Sequence, residues 1–353
     1  MLKNNKFSKR INNLPQSIWQ KIGRIKELKG QWTSGAELSP QILGRLKRST
    51  LVTSAGASTR IEGAKLGDED VEKLMSGLVL QKFADRDKQE VKGYYELLEN
   101  VFDAWRTIKF SENSIKHLHK ELLKYVEKDE RHRGDYKPGE NEVVMTDEQG
   151  KIIATVFKTT PSFLTPKETQ ELIAWTQEAL KSKEFEPLLV VANFLVEFLN
   201  IHPFQDGNGR LSRILTNLLL LQEGYQYMPY VSHEKLVEDN KNDYYLALRK
   251  TQKTFKTDHE DIMPWLDYFF GIFLKQSEMA IELLRLKDIE KILSPAQLKV
   301  WQYLLTVEEA TPREISEASG VYRPTINQVL GRLLKLKKIE RIGLGRGTRY
   351  KKL

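Results

Sequence analysis

One short segment of the chain gathers the residue types that phosphate chemistry needs. It runs His202-Pro203-Phe204-Gln205-Asp206-Gly207-Asn208-Gly209-Arg210 and continues Leu211-Ser212-Arg213. Gly207 and Gly209 free the backbone to curl, so that successive N–H groups point into one concavity at the positive end of the following helix. Arg210 and Arg213 lie in the first turn of that helix, where both guanidinium groups can grip phosphate oxygens. The segment therefore predicts an anion-binding loop.

Asp206 and His202 add two further chemical groups to this loop. A single hard carboxylate is the ligand that Mg²⁺ takes when waters and substrate phosphates fill most of its coordination sphere. His202 is the nearby group that titrates near neutrality, which makes it the natural general base. Together these groups predict phosphoryl-type transfer from a nucleotide to a hydroxyl. The sequence contains neither a P-loop GxxxxGK[ST] nor the HRD and DFG motifs of protein kinases, so neither of those classes applies.

Two apolar helices must hold this loop. Leu188 to Ile201 is apolar on nearly every face, which is typical of a helix at the centre of a bundle. A second apolar helix is predicted from about Gly209 to Gly224, and the short loop between them indicates a buried helical pair. Apolar residues at helical spacing predict further helices over residues 18–28, 71–78, 91–105, 115–126, 243–253 and 264–284, and another that begins near 165.

The helical period breaks after Arg133-Gly134. Glu142 to Met145 and Lys151 to Phe157 have the pattern of two short strands, and the residues between them, Thr146 to Gly150, favour a turn. Because an isolated two-stranded hairpin is only marginally stable, this hairpin must pack on helices or serve a function.

The loop and the hairpin together resemble the Fic domain. His202–Arg213 is similar to that family's signature loop, His-Pro-Phe-x-Asp/Glu-Gly-Asn-Gly-Arg-x-x-Arg, and every fixed position is filled. The hairpin corresponds to the family's flap, and Tyr244–Leu248 also matches, so the resemblance spans roughly Lys65 to Phe270. It implies a mainly α fold: a Fic-type helical bundle with a small β-hairpin flap.

The resemblance also implies an activity, which is transfer of AMP from ATP to a Tyr, Thr or Ser hydroxyl of a target protein, with release of pyrophosphate. His202 would deprotonate that hydroxyl and Asp206 would hold Mg²⁺. Phe204 would pin the loop into the core. The phosphates would be bound by Gly207, Asn208, Gly209, Arg210 and Arg213, the last of these on the γ-phosphate. Reverse chemistry, and transfer of a group other than AMP, occur within the family and stay open as alternatives.

The flap and three single residues complete the expectations for the catalytic region. The flap strand that contains Val143, Val144 and Met145 would align an extended target segment by strand addition. Tyr244 either lines an adenine pocket, as an ATP-binding residue, or belongs to an apolar face. Two histidines, His117 and His119, point to different faces of a predicted helix, which indicates structural or solvated roles rather than metal binding.

A second pattern of the same family, Ser/Thr-x-x-x-Glu-Gly/Asn, is matched by the segment from Ser58 through Glu62 to Gly63. In the family this pattern lies on an inhibitory helix, here upstream of the core. The resemblance implies that the Glu62 carboxylate pairs with Arg213 and occupies the cation that the γ-phosphate needs. A solvated carboxylate on an exposed helix is the alternative reading of Glu62.

Positive charge is concentrated at the C-terminal end of the chain. The net charge of the 353 residues is +8, of which residues 294–353 carry +7, from 12 Lys and Arg against 5 Asp and Glu. Such asymmetry creates a positive field on one domain and favours contact with a polyanion.

The same segment resembles a winged helix-turn-helix. Its pattern predicts three helices, the third from Arg323 to about Leu336, and then a basic hairpin. In this reading the recognition helix begins with Arg323, Thr325, Asn327 and Gln328, and Arg346 and Arg349 lie on the wing. The domain would bind DNA, with protein contact or self-association as the alternative.

Composition limits the remaining choices. The chain has no cysteine, which excludes disulfides and thiolate chemistry and fits a reducing compartment. No apolar stretch reaches the ~20 residues of a membrane span and no secretory signal begins the chain, so we expect a cytoplasmic protein without membrane contact. We predict a helical regulatory region at 1–100, a Fic core at 101–275 and a winged helix at 285–353. A nucleotide-sensing transcriptional regulator is the rival function, and self-modification and a homodimer stay open.

Overall fold

A computed structural model gives the fold of the chain. It describes residues 5–35, 38–78, 85–146, 152–336, 338–343 and 345–353, without the side chains of 142–156, 285–292 and 346. The chain forms two compact units, Met1–Ile281 and Glu282–Leu353. Within the described ranges, no helix is both long enough and apolar enough to cross a bilayer.

The regular structure in the described residues of the first unit is helical apart from one hairpin, so the prediction of a mainly α fold is confirmed. Two 3₁₀ turns, Glu127–His132 and Met228–Tyr230, interrupt the helices. The α-helices that begin in this unit are α1 (Lys6–Lys9), α2 (Gln16–Gly35), α3 (Pro40–Ile61), α4 (Asp68–Met75), α5 (Asp85–Ala104), α6 (Glu112–Leu122), α7 (Thr165–Ser182), α8 (Pro187–Ile201), α9 (Asn208–Gln222), α10 (His233–Asp239), α11 (Lys241–Gln252) and α12 (Met263–Ile292).

Helices α8 and α9 form the centre of this unit, as their apolar sequences predict. Every residue of α8 after Pro187 is buried, and so is nearly all of α9. Helix α7 packs on α8, and α5 packs on α9. Each large apolar side chain buried here contributes about 1.5–3 kcal/mol, so the pair is a rigid support. The loop that joins α8 to α9 is therefore fixed at both ends.

Two polar residues in α8 are satisfied by the N-terminal segment. Glu197 is fully buried and accepts hydrogen bonds from Lys6 Nζ at 2.9 Å and Arg10 Nη1 at 2.7 Å. Arg10 Nε also donates to Asn193 Oδ1 at 2.6 Å. Burial alone would raise the pKa of Glu197, but the two cations hold it below its usual value. Residues that interrupt an apolar helix thus anchor α1 and the residue after it to the core.

Small side chains let α3 approach the core closely. Ser54, Ala55, Gly56, Ala57 and Ser58 are all buried, and α3 packs against α5, α9 and α10. At Gly56 an added Cβ would lie 2.5 Å from Arg60 Nη1, so the end of the Arg60 side chain would have to move to admit a larger residue. The close packing of α3 brings its C-terminal end to the loop between α8 and α9.

The predicted hairpin is present as β1 (Glu142–Thr146) and β2 (Ile152–Lys158), which pair antiparallel. Glu142 pairs with Lys158, and the register shifts twice along the ladder. Strand β2 also packs against α11. The predicted turn at its tip, apart from Thr146, lies outside the described residues.

The second unit has its own core and contains the winged-helix pattern. Trp301, Ile315 and Ile326 are buried at its centre. A short third strand extends the predicted hairpin into a sheet of order β3-β5-β4, and the sequence pattern missed it because only two of its residues pair. Its elements are α13 (Pro295–Leu304), β3 (Glu309–Ala310), α14 (Pro312–Ser319), α15 (Arg323–Lys335), β4 (Ile339–Ile342), a 3₁₀ turn (Gly345–Gly347) and β5 (Arg349–Lys352).

Candidate active site

The loop between α8 and α9 is held by its own side chains. Gly207 is the residue before α9 and has φ +78°, a conformation that glycine adopts without strain. Its N–H donates to Asp206 Oδ1 at 2.6 Å. The Asn208 side chain accepts from the N–H of Phe204 at 3.0 Å and donates to the Phe204 carbonyl at 2.8 Å. These bonds fix the curl of the backbone and leave the first N–H groups of α9 directed out of its N-terminus.

His119, from α6, supports the loop from below. Its ring stacks on Phe204 with 3.8 Å between centroids. Gly134 N–H donates to its Nδ1 at 2.9 Å, so the proton belongs on Nε2, which donates to the Asp206 carbonyl at 3.0 Å. Burial lowers the pKa of His119 to about 4, which keeps the ring neutral. Of the structural and solvated roles left open for His119, this position fits the structural one, and its contacts fix Asp206.

Replacing His119 by alanine is expected to destabilise the chain by about 2–4 kcal/mol, because a buried ring and two hydrogen bonds are lost together. His117, which lies two residues earlier on the same helix and is exposed, is the matched control. We expect His117→Ala to change the free energy of unfolding by less than about 0.5 kcal/mol. Guanidinium unfolding of both full-length variants measures the difference. Equal values for the two would show that the loop does not depend on His119.

His202 follows α8 and faces the loop from the other side. Its φ of +52° is a left-handed conformation that histidine adopts more readily than most residues, at a cost of about 1–3 kcal/mol. The backbone N–H donates to the Phe198 carbonyl at 2.9 Å, and ring Nδ1 lies 3.4 Å from the Leu199 carbonyl. With the proton on Nδ1, Nε2 keeps a free lone pair. Burial, together with the nearby charge of Lys137, lowers the pKa of His202 to about 4, so the ring is neutral at pH 7.

Asp206 lies between two arginines. Its Oδ2 accepts from Arg210 Nη2 at 3.0 Å and from Arg86 Nη2 at 2.8 Å. Glu90 binds both cations, at 2.9 Å from Arg210 Nη1 and 2.8 Å from Arg86 Nε. Burial opposes ionisation of Asp206, but the charge of Arg210, the Gly207 N–H and Arg86 hold its pKa below the usual value. Asp206 is therefore an anionic carboxylate, still about one-third exposed.

Arg213 is buried and turned toward α3. Its Nε donates to Ser58 Oγ at 2.7 Å, and its Nη2 donates to the Ser58 carbonyl at 2.9 Å and to Glu62 Oε1 at 2.7 Å. Its Nη1 is buried and has no hydrogen-bond partner among the described residues. Arg210 Nε is likewise buried and has no hydrogen-bond partner among the described residues. Two buried guanidinium groups thus keep spare donors at one end of α9.

The end of α3 sets the position of Glu62. Glu62 is not within the helix but caps it, and Gly63 follows with φ +104°. Gly63 N–H donates to the Arg60 carbonyl and Ala64 N–H to the Thr59 carbonyl, each at 3.1 Å, which is a Schellman ending that favours glycine at this position. The carboxylate then reaches over α9, where Glu62 Oε1 lies 2.3 Å from the place that a Cβ on Gly209 would take. Glu62 occupies the anion position at the N-terminus of α9.

Tyr244 lies near Arg213 but is buried. Its ring packs against Trp265 and Tyr268, with centroids 6.1 and 5.7 Å away, and burial raises its pKa to about 12. The cavity that Tyr244 lines there holds about 20 Å³, which is room for one water. A place for Tyr244 in an adenine pocket stays a prediction.

The other predicted site residues are apart from this cluster in sequence. Val143, Val144 and Met145 lie in β1, where the structure describes their backbone only. In α15, Arg323, Asn327 and Gln328 are exposed, whereas Thr325 is half-buried. Arg346 lies in the 3₁₀ turn before β5, and its side chain is outside the described part of the chain. Arg349 pairs with Glu309 at 3.0 Å.

Sequence reasoning missed Arg86, Glu90 and Lys137. The first two begin α5, and nothing in their spacing differs from an ordinary solvated helix face with a charged pair four residues apart. Lys137 follows a turn in a polar segment, where a lysine is usually exposed. In the structure it is buried between the hairpin and the loop. No local signal in the sequence identifies these three residues, because their partners are distant in the chain.

The fold and the site together define a helical domain in which a central helix pair carries an anion-binding loop, a neutral histidine and a carboxylate. Family models agree with this description: that of the Fic/DOC family matches residues 109–220, and that of the sugar-specific transcriptional regulator TrmB matches residues 293–353. A Fido domain-containing protein of Dictyostelium discoideum is 35% identical over 109 residues, which cover 29% of this chain and 69% of that protein. The chain belongs to the Fic/DOC family, and its recognition from the loop is confirmed.

Two further relatives extend the comparison. A probable protein adenylyltransferase of Aquifex aeolicus is 23% identical over 195 residues, which cover 54% of this chain but only 56% of that protein. The chain also aligns with the crystal structure of a Fic family protein from Desulfovibrio desulfuricans, and the alignment covers 97% of each chain with a TM-score of 0.62. At 22% sequence identity this is a similarity of fold. The TrmB match agrees with the predicted winged helix. Relatives named adenylyltransferases support Fic-type nucleotide transfer at the level of the family.

Proposed function

We propose that this protein transfers AMP from ATP to a hydroxyl side chain of a target protein, and that Glu62 inhibits the transfer from within the chain. The observation that carries the proposal is the neutral His202 beside an anion position that two buried arginines and the start of α9 surround. A neutral imidazole can accept a proton, and the anion position suits a phosphate chain.

The residues present fit ATP. Arg213 Nη1 and Arg210 Nε are buried donors without partners among the described residues, and Gly209 has no side chain in the space that Glu62 Oε1 now takes. Asp206 supplies one carboxylate of the kind that Mg²⁺ takes beside phosphate oxygens. Mg²⁺ bound there would neutralise charge on the departing pyrophosphate. Arg86 shares this carboxylate and would have to yield to the metal.

The reaction then needs three contributions from the chain. His202 Nε2 accepts the proton as the target hydroxyl oxygen forms its bond to the α-phosphorus, and the bond from that phosphorus to the bridging oxygen breaks to release pyrophosphate. Arg210 and the N–H groups at the start of α9 stabilise the phosphate charge. The backbone of β1 would pair with an extended target segment and bring its hydroxyl to His202, with Val143, Val144 and Met145 as the contact strand.

Inhibition follows from the position of the Glu62 carboxylate. It takes one donor of Arg213 at 2.7 Å and lies over Gly209, where it would repel a γ-phosphate. ATP that binds productively must displace it. The inhibitory segment also includes Ser58, whose hydroxyl and carbonyl hold Arg213 in its present orientation, and Gly63, which ends the helix.

Covalent labelling tests the proposal. The purified Glu62→Gly variant, with Mg²⁺ and ATP labelled on the α-phosphate, is incubated alone and with cell lysate, and protein-bound label is measured. Label that His202→Ala abolishes supports AMP transfer, either to a target protein or to the chain itself. Label from the γ-position instead would indicate transfer of another group, and nucleotide binding without any label would favour the rival reading, a nucleotide-sensing regulator.

A second candidate function is DNA binding by the second unit. The observation that favours it is the TrmB match over 293–353 together with the excess positive charge and the exposed Arg323, Asn327 and Gln328 on α15. In a winged helix the N-terminal part of this helix enters the major groove. We propose that α15 contacts DNA in this way, with the turn at Arg346 on the adjacent backbone.

Arg323→Ala is expected to weaken binding to duplex DNA and to reduce the slope of log K against log salt by about 1, because one phosphate contact is lost. Fluorescence anisotropy of a labelled duplex over a range of salt measures both quantities. Arg313→Ala is the matched control, since Arg313 is exposed on α14 and pairs only with Glu317 among the described residues. If the anisotropy of every duplex tested stays unchanged even at low salt, the result would favour a protein contact for this domain.

A further inference from the structure

Lys137 is buried at the base of the hairpin, and only 3% of its surface is exposed. Its ammonium donates to Asn141 Oδ1 at 2.8 Å, to Thr159 Oγ1 at 2.7 Å and to the Ile201 carbonyl at 3.1 Å. All three acceptors are neutral. A buried ammonium with three hydrogen bonds and, among the described side chains, no carboxylate in contact is a costly arrangement, since desolvation is not offset by an opposite charge.

The three acceptors belong to the two ends of the hairpin and to the catalytic loop. Asn141 precedes β1, Thr159 follows β2, and Ile201 is the last residue of α8, next to His202. Backbone and amide bonds reinforce the junction. Lys137 N–H donates to the Pro203 carbonyl at 2.9 Å, and Asn141 Nδ2 donates to the Phe204 carbonyl at 3.1 Å. The ends of the hairpin are thereby fastened to residues 201–204.

We propose that Lys137 is a positioning residue of the transfer reaction: its ammonium ties both ends of the hairpin to the end of α8 and places a positive charge next to His202. This inference rests on the proposed function. The hairpin would present the target hydroxyl, and His202 would receive the proton of that hydroxyl. The hairpin and His202 must therefore keep a fixed position relative to each other. A cation at the end of α8 is also favoured by the negative end of the helix.

The charges around both groups agree with this role. Burial has the largest effect in lowering the pKa of His202, and the positive charge of Lys137 has the next largest. The charges of Glu62 and Asp206 raise that pKa. Burial lowers the pKa of Lys137 to about 8, Glu140 and Glu168 raise it, and Lys256 lowers it. Lys137 is therefore mostly charged at pH 7, and removal of its charge should make His202 easier to protonate.

The first test needs no activity. NMR titration of the His202 ring is compared in the full chain and in Lys137→Met, with folding checked by circular dichroism. We expect the pKa of His202 to rise by about one unit in Lys137→Met and to stay within about 0.3 of its original value in Lys137→Arg. Lys120→Met is the matched control, because Lys120 is exposed on α6, and it should leave the titration unchanged. An unshifted His202 in folded Lys137→Met overturns the proposal.

The second test measures AMP transfer against pH in the Glu62→Gly background. We expect Lys137→Met to lower kcat/KM at least tenfold and to move the acidic limb to higher pH, whereas a loss of structural support alone would lower the rate without moving that limb. If Lys137→Met does not fold, the alkaline limb of the pH profile is compared between the parent and Lys137→Arg. We expect kcat/KM to fall above pH 8 in the parent and to persist to higher pH in Lys137→Arg. Alkaline limbs that coincide overturn the proposal. Absence of transfer in every variant, the parent included, contradicts the proposed function itself.

Discussion

His202→Ala is expected to lower AMP transfer by about 10²–10⁴-fold, because it removes the group that accepts the proton of the target hydroxyl. The measurement is protein-bound label from ATP labelled on the α-phosphate, made in the Glu62→Gly background so that the remaining rate lies within range. The loss should appear in kcat, since among the described residues the hydrogen bonds of His202 go to Leu199 and Phe198 and not to the arginines that would hold the phosphates.

The pH dependence of transfer by the parent gives a second test of the role of His202. Only the neutral imidazole can accept a proton, and burial lowers the pKa of His202 to about 4. As pH falls through that value the base is lost, so transfer should be flat from pH 8 down to about pH 5.5 and decline below it. Nucleotide binding by His202→Ala, followed with a fluorescent ATP analogue, should match the parent. Transfer within twofold of the parent in this variant would eliminate His202 as the base.

Glu62→Gly is expected to raise transfer about 10- to 100-fold, because the variant removes the carboxylate that pairs with Arg213 and lies over Gly209. The apparent affinity for ATP is reduced by the fraction of molecules whose site is free, so a carboxylate that occupies the site in about 90–99% of molecules lowers it about 10- to 100-fold. Label incorporation and the affinity for ATP should rise together. Glu62→Gln keeps the shape without the charge, and we expect an intermediate increase from it.

Glu69→Gln is the matched control for this prediction. Glu69 is an exposed carboxylate on α4 that pairs with Lys73 four residues away, and its replacement should leave transfer unchanged. Unchanged or lower labelling in folded Glu62→Gly, at equal concentrations of ATP, would contradict inhibition by this residue. The solvated alternative for Glu62 would then stand.

Part of this molecule could be predicted because its determinants are adjacent in sequence. The loop from His202 to Arg213 contains its own supports: Gly207 permits the turn, Asn208 bridges the Phe204 backbone, and both arginines follow in the first turns of α9. The apolar length of α8 likewise predicted a buried central helix. Interactions within about ten residues leave a readable pattern, since they depend on spacing alone.

The partners of these residues could not be predicted in the same way. Arg86, Glu90 and Lys137 reach the site from segments whose sequences are polar and unremarkable, and only the packing of α5 and the hairpin brings them there. His119 illustrates the limit. Its pattern indicated a structural role, but not that its ring would stack on Phe204 and hold the Asp206 carbonyl. Contacts between distant segments depend on tertiary structure, which local propensity does not encode.

The absence of a side chain at Gly209 limits which substitutions could relieve the proposed inhibition by Glu62. An added Cβ there would lie 2.3 Å from Glu62 Oε1, so the Glu62 carboxylate would have to move, and the Cβ would enter the space proposed for a phosphate. Under the proposed function, Arg213 would likewise serve both Glu62 and the phosphate. We therefore expect activating substitutions in the upstream segment around Glu62, and we expect substitutions within the loop itself to lower activity.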